Sequence, residues 1–204
     1  MRIGLDFDNT IVSYDALFYQ VARERDLLPR DTEIAVNKVA VRDYLRRIDR
    51  EDEWTAMQGY VYGARMDEAA IFDGVIDFLA WANSAQHELA IVSHKTRHPF
   101  LGPQYDLHAA AAAWIATHLD RDGQALLPSD RVFFELTKEA KLARIAAFGC
   151  DVFIDDLPEI LTAAGFPKNT RPVLFDPEGS HAGQALPGVT VTRSWDQFAR
   201  VLVS

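Results

Sequence analysis

Cysteine is almost absent from this chain, and the single thiol, Cys150, excludes any intramolecular disulfide framework. Its apolar neighbours Ala146, Phe148 and Val152 point to a buried thiol in a reducing, cytoplasmic setting and leave redox chemistry without a partner. Long apolar runs are missing too. No stretch reaches the ~18 uninterrupted apolar residues that suggest a membrane span, and the alanine tract Ala109 to Ala113 is far too short. The opening residues MRIGLDFDNT bring in acids after a few apolar positions, so a secretory signal core is not expected there. Repeats, low-complexity segments and Gly/Ser linkers are also lacking, which leaves hydrophobic periodicity as the guide to layout. Positive charge is scarce: 21 Lys and Arg stand against 30 Asp and Glu, a net charge of -9, with no basic stripe interleaved with aromatics. Neither nucleic acid nor a membrane is therefore expected as a partner, and an anionic substrate would have to be held locally by a cation.

What is present is ordinary globular usage, 49% hydrophobic and 25% charged residues over 204 positions, enough for one sizeable core with at most a small inserted domain. Short apolar runs predict five buried strands: Arg2 to Phe7, Leu89 to Ser93, Val132 to Phe134, Val152 to Ile154 and Val173 to Phe175. Helical spacing lies between them, in Val75, Phe78, Leu79, Trp81 and Ala82, in Leu107, Ala110, Ala111, Trp114 and Ile115, and in Leu142, Ile145 and Ala146. Trp195, Phe198, Val201 and Leu202 close the chain in the same way. Apolar strands alternating with helices predict an α/β fold whose parallel sheet is covered on both faces.

One stretch breaks the alternation. From about Tyr14 to about Ile71 there are helix signals and no convincing strand: Ser13 is placed to cap a helix with Leu17, Phe18 and Val21. A second helix would carry Val36, Val39, Ala40, Tyr44 and Ile48, and a third would run from Glu51 to Tyr60. The division expected is a core of residues 1–12 and 72–204 with a helical insertion, 13–71, over the carboxyl ends of the strands, where open α/β sheets bind ligands.

Four groups of residues carry chemistry. The first strand runs into Asp6-Phe7-Asp8-Asn9-Thr10, and strand alternation would turn Asp6 and Asp8 to one side. Two neighbouring carboxylates need a cation or a shared proton, and a hard divalent ion such as Mg²⁺ fits oxygen ligands of this kind. The bland alternative is a turn in which Asp8 and Asn9 bond their own backbone. Ser93 ends the second strand, as a phosphate-binding hydroxyl or as a plain turn serine. Thr137 is placed to cap a helix bearing Lys138 and Lys141, three apart on one face, either of which could offer a point charge to a phosphoryl group or be solvated surface. Asp155 and Asp156 end the fourth strand as a second metal-ligand position. Alternatively Asp156 and Glu159 form a capping box with Pro158 in the first turn, which leaves Asp155 unexplained. All four groups fall at strand carboxyl ends, so a parallel sheet would bring them into one crevice.

In that order, these residues resemble the four motifs of the haloacid dehalogenase (HAD) superfamily, over the chain from Asp6 to about Glu159. The resemblance implies a three-layer Rossmann-like core with a C1-type helical cap at 13–71, and a magnesium-dependent phosphatase acting on a small phosphorylated substrate. It makes Asp6 the nucleophile, Asp8 the general acid/base and a carbonyl ligand, Thr10 a supporting residue, Ser93 the phosphate-binding hydroxyl and Asp155 with Asp156 the metal acids. The lysine of the third motif would be Lys138 or Lys141. Dehalogenases of the superfamily lack the acid at the position of Asp8. A phosphotransferase or mutase, and an inactive binding protein on the same scaffold, are the rival readings. Trp54, Met57, Tyr60, Tyr62 and Arg65 in the cap either contact a leaving group or pack its helices. His94, Lys95, Arg97 and His98, in a loop with Pro99 and Gly102, either recognise an anionic substrate or are simply exposed.

Overall fold

A computed structural model describes residues Met1–Val203. Six parallel strands make one sheet: β1 (Arg2–Leu5), β2 (Glu88–His94), β3 (Val132–Glu135), β4 (Val152–Asp155), β5 (Arg171–Phe175) and β6 (Thr190–Thr192). Their order is β6-β5-β4-β1-β2-β3. The five strands read from apolar runs are all there, with ends shifted by a residue or two, and β1 stops at Leu5 instead of Phe7. The sixth was not foreseen, because Thr-Val-Thr is too short and too polar to register as an apolar run. The helices are α1 (Asp15–Glu24), α2 (Lys38–Arg47), α3 (Glu51–Tyr62), α4 (Val75–Ser84), α5 (Leu107–His118), α6 (Lys138–Phe148), α7 (Pro158–Leu161) and α8 (Trp195–Val203).

The chain divides into two compact units, Met1–Ile11 with Ile71–Lys95 and Ala116–Ser204, and Val12–Ala70 with Thr96–Ile115. The second unit thus takes in the loop after β2 and most of α5 beside the insertion read from the sequence.

In the first unit β5 reports which face each helix covers. Leu174 joins Ile145 of α6 in a buried cluster with Val92, Cys150, Phe153 and Leu161. Its neighbour Phe175 lies with its ring 6.0 Å from that of Trp195 in α8. Successive strand residues point to opposite sides, so α6 and α8 cover opposite faces of the sheet. Phe78 of α4 stacks 5.0 Å from both Trp195 and Phe198, which puts α4 with α8. Helix, sheet and helix form the three layers expected of an α/β fold.

The α6 face is tightly packed at Gly4. A Cβ there would fall 2.5 Å from the Phe153 ring and 2.6 Å from the Cys150 sulfur, so this strand position has room for no side chain. Gly4 pairs with Phe153 in register, and the next residues of the same parity are Asp6 and Asp155. Both acids therefore leave the sheet on the side that α6 covers.

In the second unit α1, α2 and α3 pack against one another. Phe18, Val21, Val41, Leu45, Trp54 and Met57 are buried among them. Two sequence expectations fail here. Ser13 does not cap α1: it lies in the two-residue strand Val12–Ser13, and the cap position falls to Tyr14 without a side-chain bond. In α2 the buried stripe is Val41 and Leu45, whereas Val36, Val39 and Ile48 are exposed. Asn37 sets that register by accepting the Ala40 N–H at 2.7 Å, so the helix begins one residue later and Val36 stays outside it. The stretch also ends in a short strand, Ala70–Ile71, that its composition did not announce.

The fit at Gly4 makes a stability prediction. Gly4→Ala should cost about 1–3 kcal/mol, the usual range for overpacking a filled core. Urea unfolding of the two proteins measures it, and an unchanged midpoint would mean that Phe153 and Cys150 give way freely.

Candidate active site

The carboxyl ends of β1, β2 and β4 are neighbours by register: Leu5 pairs with Ile91 on one side and Ile154 on the other. The residues that follow them inherit that proximity, and the Asp6 N–H donates to the Ile154 carbonyl at 2.9 Å. After β1 the chain turns sharply, with Asn9 in the left-handed region at φ 58°, a conformation asparagine tolerates better than most residues. That turn folds Thr10 back, and its hydroxyl donates to Asp6 Oδ2 at 3.3 Å. Trp195 holds the turn from below, donating its indole N–H to the Thr10 carbonyl at 3.2 Å.

At the centre lies Lys141. Its Nζ donates to Asp6 Oδ1 at 2.6 Å and to Asp155 Oδ2 at 2.5 Å, with the ammonium fully buried between the two acids. Asp155 is fixed at its other oxygen by the Leu157 N–H, at 2.9 Å. Thr137 caps α6 as its sequence suggested, accepting the Ala140 N–H at 3.1 Å, and this sets where along the helix each lysine stands. Lys141 is one turn before the buried Ile145 and faces the sheet. Lys138, at the first position of α6, projects beyond the strand ends and pairs instead with Glu159 at 2.7 Å on an exposed surface. The structure therefore separates the two lysines that helical periodicity left equal.

Asp8 is held independently. Lys95, only 5% exposed, donates to both Asp8 oxygens at 2.8 Å. Asn9 donates its side-chain amide to Asp156 Oδ2 at 3.3 Å. Asp156 caps no helix: the cap position of α7 is Leu157, and Pro158 does occupy its first turn. Ser93 stands in register with Phe134, and its buried hydroxyl has no hydrogen-bond partner among the described residues, an uncommon state that a ligand oxygen would satisfy.

Asp6, Asp155 and Asp156 each offer a carboxylate oxygen such that all three lie within 4.8 Å of one another, a spacing that a metal ion can bridge. Charge points the same way. Asp6, Asp8, Asp155 and Asp156 outnumber Lys95 and Lys141 by two, so the cluster calls for further positive charge. The Asp8 carboxylate does not belong to that trio, being engaged by Lys95, so any ligand from Asp8 would be the backbone carbonyl that the family resemblance implies. Burial pushes the Asp6 carboxyl up to about 7, with Lys141 opposing the shift and Asp155 and Asp8 reinforcing it. Burial pulls the Lys141 ammonium down, yet Asp155 and Asp6 more than offset this and hold it above its ordinary value.

Residues outside the cluster resolve as well. Trp54 and Met57 are buried in the second unit, and the Tyr62 ring packs 4.8 Å from Tyr14 and 5.6 Å from Phe18. Arg65 pairs with Glu24 at 2.6 Å and with Glu68, and Arg25 lies 3.8 Å over the Tyr60 ring. Arg97 pairs with Asp106 at 3.0 Å, and His94 and His98 meet backbone carbonyls of Leu136 and Tyr105. Lys95, read from the sequence as either recognising an anionic substrate or exposed, is instead buried against the Asp8 carboxylate. Its one signal was its place two residues after Ser93, which puts it on the same side of the extended chain.

No protein-family model matches the chain, and no curated protein sequence does. Solved structures do. A HAD family hydrolase from Deinococcus radiodurans R1, with bound phosphate and sodium, superposes with a TM-score of 0.62 at 16% identity, over 99% of this chain and 94% of that one. A predicted phosphoglycolate phosphatase from Haemophilus somnus 129pt gives 0.54 at 14% identity, over 98% and 97%. A dehalogenase gives 0.56 at 15% identity, over 100% and 97%. The chain has the fold of the HAD superfamily. Phosphatases and dehalogenases both carry the HAD fold, so the chemistry has to be argued from the residues.

Two outcomes follow from the charge network. Lys141→Met should destabilise the protein by about 3–5 kcal/mol, because it strands buried carboxylates, whereas Lys138→Met should stay within ~0.5 kcal/mol. Denaturant unfolding of both variants checks this, and equal effects would contradict the assignment. A divalent cation bound by Asp6 must displace the proton that Asp6 retains up to about pH 7. Affinity should therefore rise with pH, by up to about tenfold per unit below that point, and then level off. Calorimetric titration would detect it, and affinity independent of pH would remove Asp6 from the ligand set.

Proposed function

We propose that the chain is a Mg²⁺-dependent phosphomonoester hydrolase of the HAD superfamily, acting through an aspartyl-phosphate on Asp6, with a small phosphorylated metabolite such as a nucleotide or sugar phosphate as substrate. The observation that carries this reading is the buried Lys141 shared by Asp6 and Asp155, with Asp156 within reach of the same ion. The four motif groups read from the sequence meet at one sheet edge, as such chemistry requires. A cytoplasmic setting belongs to the same reading, supported by a lone buried thiol with no disulfide to form.

Asp6, Asp155 and Asp156 would hold Mg²⁺, a hard cation that commonly joins one or two carboxylates to substrate phosphate. Bound there, it supplies charge neutralisation for the phosphoryl oxygens. Asp6 must be ionised to act as nucleophile, and the adjacent Lys141 ammonium favours that form. Its oxygen attacks phosphorus while the ester P–O bond breaks. Asp8 gives a proton to the departing oxygen, then takes one from water as that water displaces Asp6 from phosphorus. Inorganic phosphate and free Asp6 result. Lys141 and the Ser93 hydroxyl are available to the phosphoryl oxygens throughout. Asp8 is also what favours phosphate over halide chemistry, since a departing halide needs no proton. The TM-score with the phosphate-bound hydrolase supports the reading at the level of fold.

A panel of nucleotides, sugar phosphates and phosphorylated small acids, assayed with Mg²⁺ and with chelator, tests the proposal. Turnover should require the metal, and Asp6→Asn should abolish it because no neighbouring group can form the covalent bond. Lys141→Met should lower kcat by roughly 10²–10³, by analogy with the loss of one oxyanion donor. Full activity in Asp6→Asn, with deamidation excluded, would refute the mechanism.

A further inference from the structure

Lys95 has no part in the mechanism above, yet it is among the most buried charged groups of the chain. A lysine taken out of water needs hydrogen-bond acceptors, and here both Asp8 oxygens accept from its Nζ at 2.8 Å. Its backbone is fixed as firmly. The Lys95 N–H donates to the Glu135 carbonyl at 2.9 Å, extending the β2–β3 ladder one residue past the end of β2. The side chain then runs over Phe7, its Nζ 5.7 Å from the ring centroid, and Phe7 is itself buried and packed edge-on against Phe134. Backbone ladder, aromatic floor and twofold contact together leave Lys95 little freedom.

Asp8 has the opposite character. It follows β1 at an isolated bridge position just before a sharp turn, beside Asn9 in the left-handed region, and its side chain is 22% exposed. A short carboxylate side chain takes its orientation from the groups that bond it, and Lys95 meets both of its oxygens. Lys141 serves Asp6 and Asp155, and reaches them from α6 on one face of the sheet. Ser93 and Lys95 have the other parity from Val92, whose side chain packs on the α6 face, so Lys95 comes to Asp8 from the opposite side. Each of the two acids of the first motif thus has its own lysine, delivered by a different element.

We propose that Lys95 is a positioning residue for the proton-transfer step: it holds the Asp8 carboxylate in the one orientation from which it reaches the leaving oxygen. This rests on the phosphohydrolase reading given above. Lys95 forms and breaks no bond to substrate. It shapes where the Asp8 proton is presented, so its contribution is felt only where the leaving group needs that proton.

The experiment compares two leaving groups. An alkyl phosphate must be protonated as it departs, whereas p-nitrophenyl phosphate leaves as a stable phenolate. The ratio kcat/KM reports only the steps through loss of the leaving group, so later hydrolysis of the aspartyl phosphate does not enter. Lys95→Met should lower kcat/KM for the alkyl ester about 10²-fold, the lower end of what general acid catalysis contributes, with p-nitrophenyl phosphate changed less than about threefold. Lys95→Arg, which keeps a bidentate cation, should recover most of the loss, and Lys95→Met should cost nothing further in an Asp8→Asn background. Lys95→Gln replaces Lys95→Met if the latter is not recovered folded, with the same expectation. Equal losses on both esters, or no loss on either, overturn the role of Lys95 and leave the hydrolase reading standing. Absence of all turnover in the wild-type protein overturns the hydrolase reading and this proposal with it.

Discussion

A single ammonium group organises the site. Lys141 is removed from water and placed between Asp6 and Asp155, and neither the lysine nor the acids would be tolerable there without the others. Because the pairing distances are 2.6 and 2.5 Å, the sheet and α6 are bound to a fixed relative height: β1 and β4 must end level, and α6 must begin one turn above them. The absence of a side chain at Gly4, the packing of Phe153 and Ile145, and the Thr137 cap all serve that alignment.

The same network leaves a deficit of positive charge. Four aspartates meet at the strand ends and two lysines answer them. Burial together with Asp155 and Asp8 raises the Asp6 carboxyl, so without further cations Asp6 tends toward its protonated form. A divalent ion held by Asp6, Asp155 and Asp156, as the proposed function has it, would offset this deficit. In this way the electrostatics of folding and of the proposed chemistry meet at the same carboxylates.

Much of this was legible beforehand because it depends on local pattern. Apolar runs announced five strands, and acids or hydroxyls at or just past their carboxyl ends announced the candidate site, since parallel strands bring those ends together wherever they stand in the order. Thr137 and Pro158 obeyed the local rules for helix starts. The misses are equally local in origin. Ser13 looked like a cap but was drawn into a strand, and Val36 and Val39 looked like a core stripe until Asn37 set the helix start. Lys95 was read as either recognising an anionic substrate or exposed, and beyond its place two residues after Ser93 the sequence did not show that it extends a strand ladder toward Asp8.

By itself the sequence determined the class of fold, the identity of the acids and the sheet edge at which they gather, because strand period and residue chemistry are written in neighbouring positions. The choice of Lys141 over Lys138, and the partnership of Lys95 with Asp8, belonged to the tertiary structure. Two lysines three apart share a helical face, so what separates them is one turn of height relative to the strand ends. That height is fixed by packing between residues more than a hundred positions apart, and it decides which ammonium is buried against a carboxylate and which remains in water.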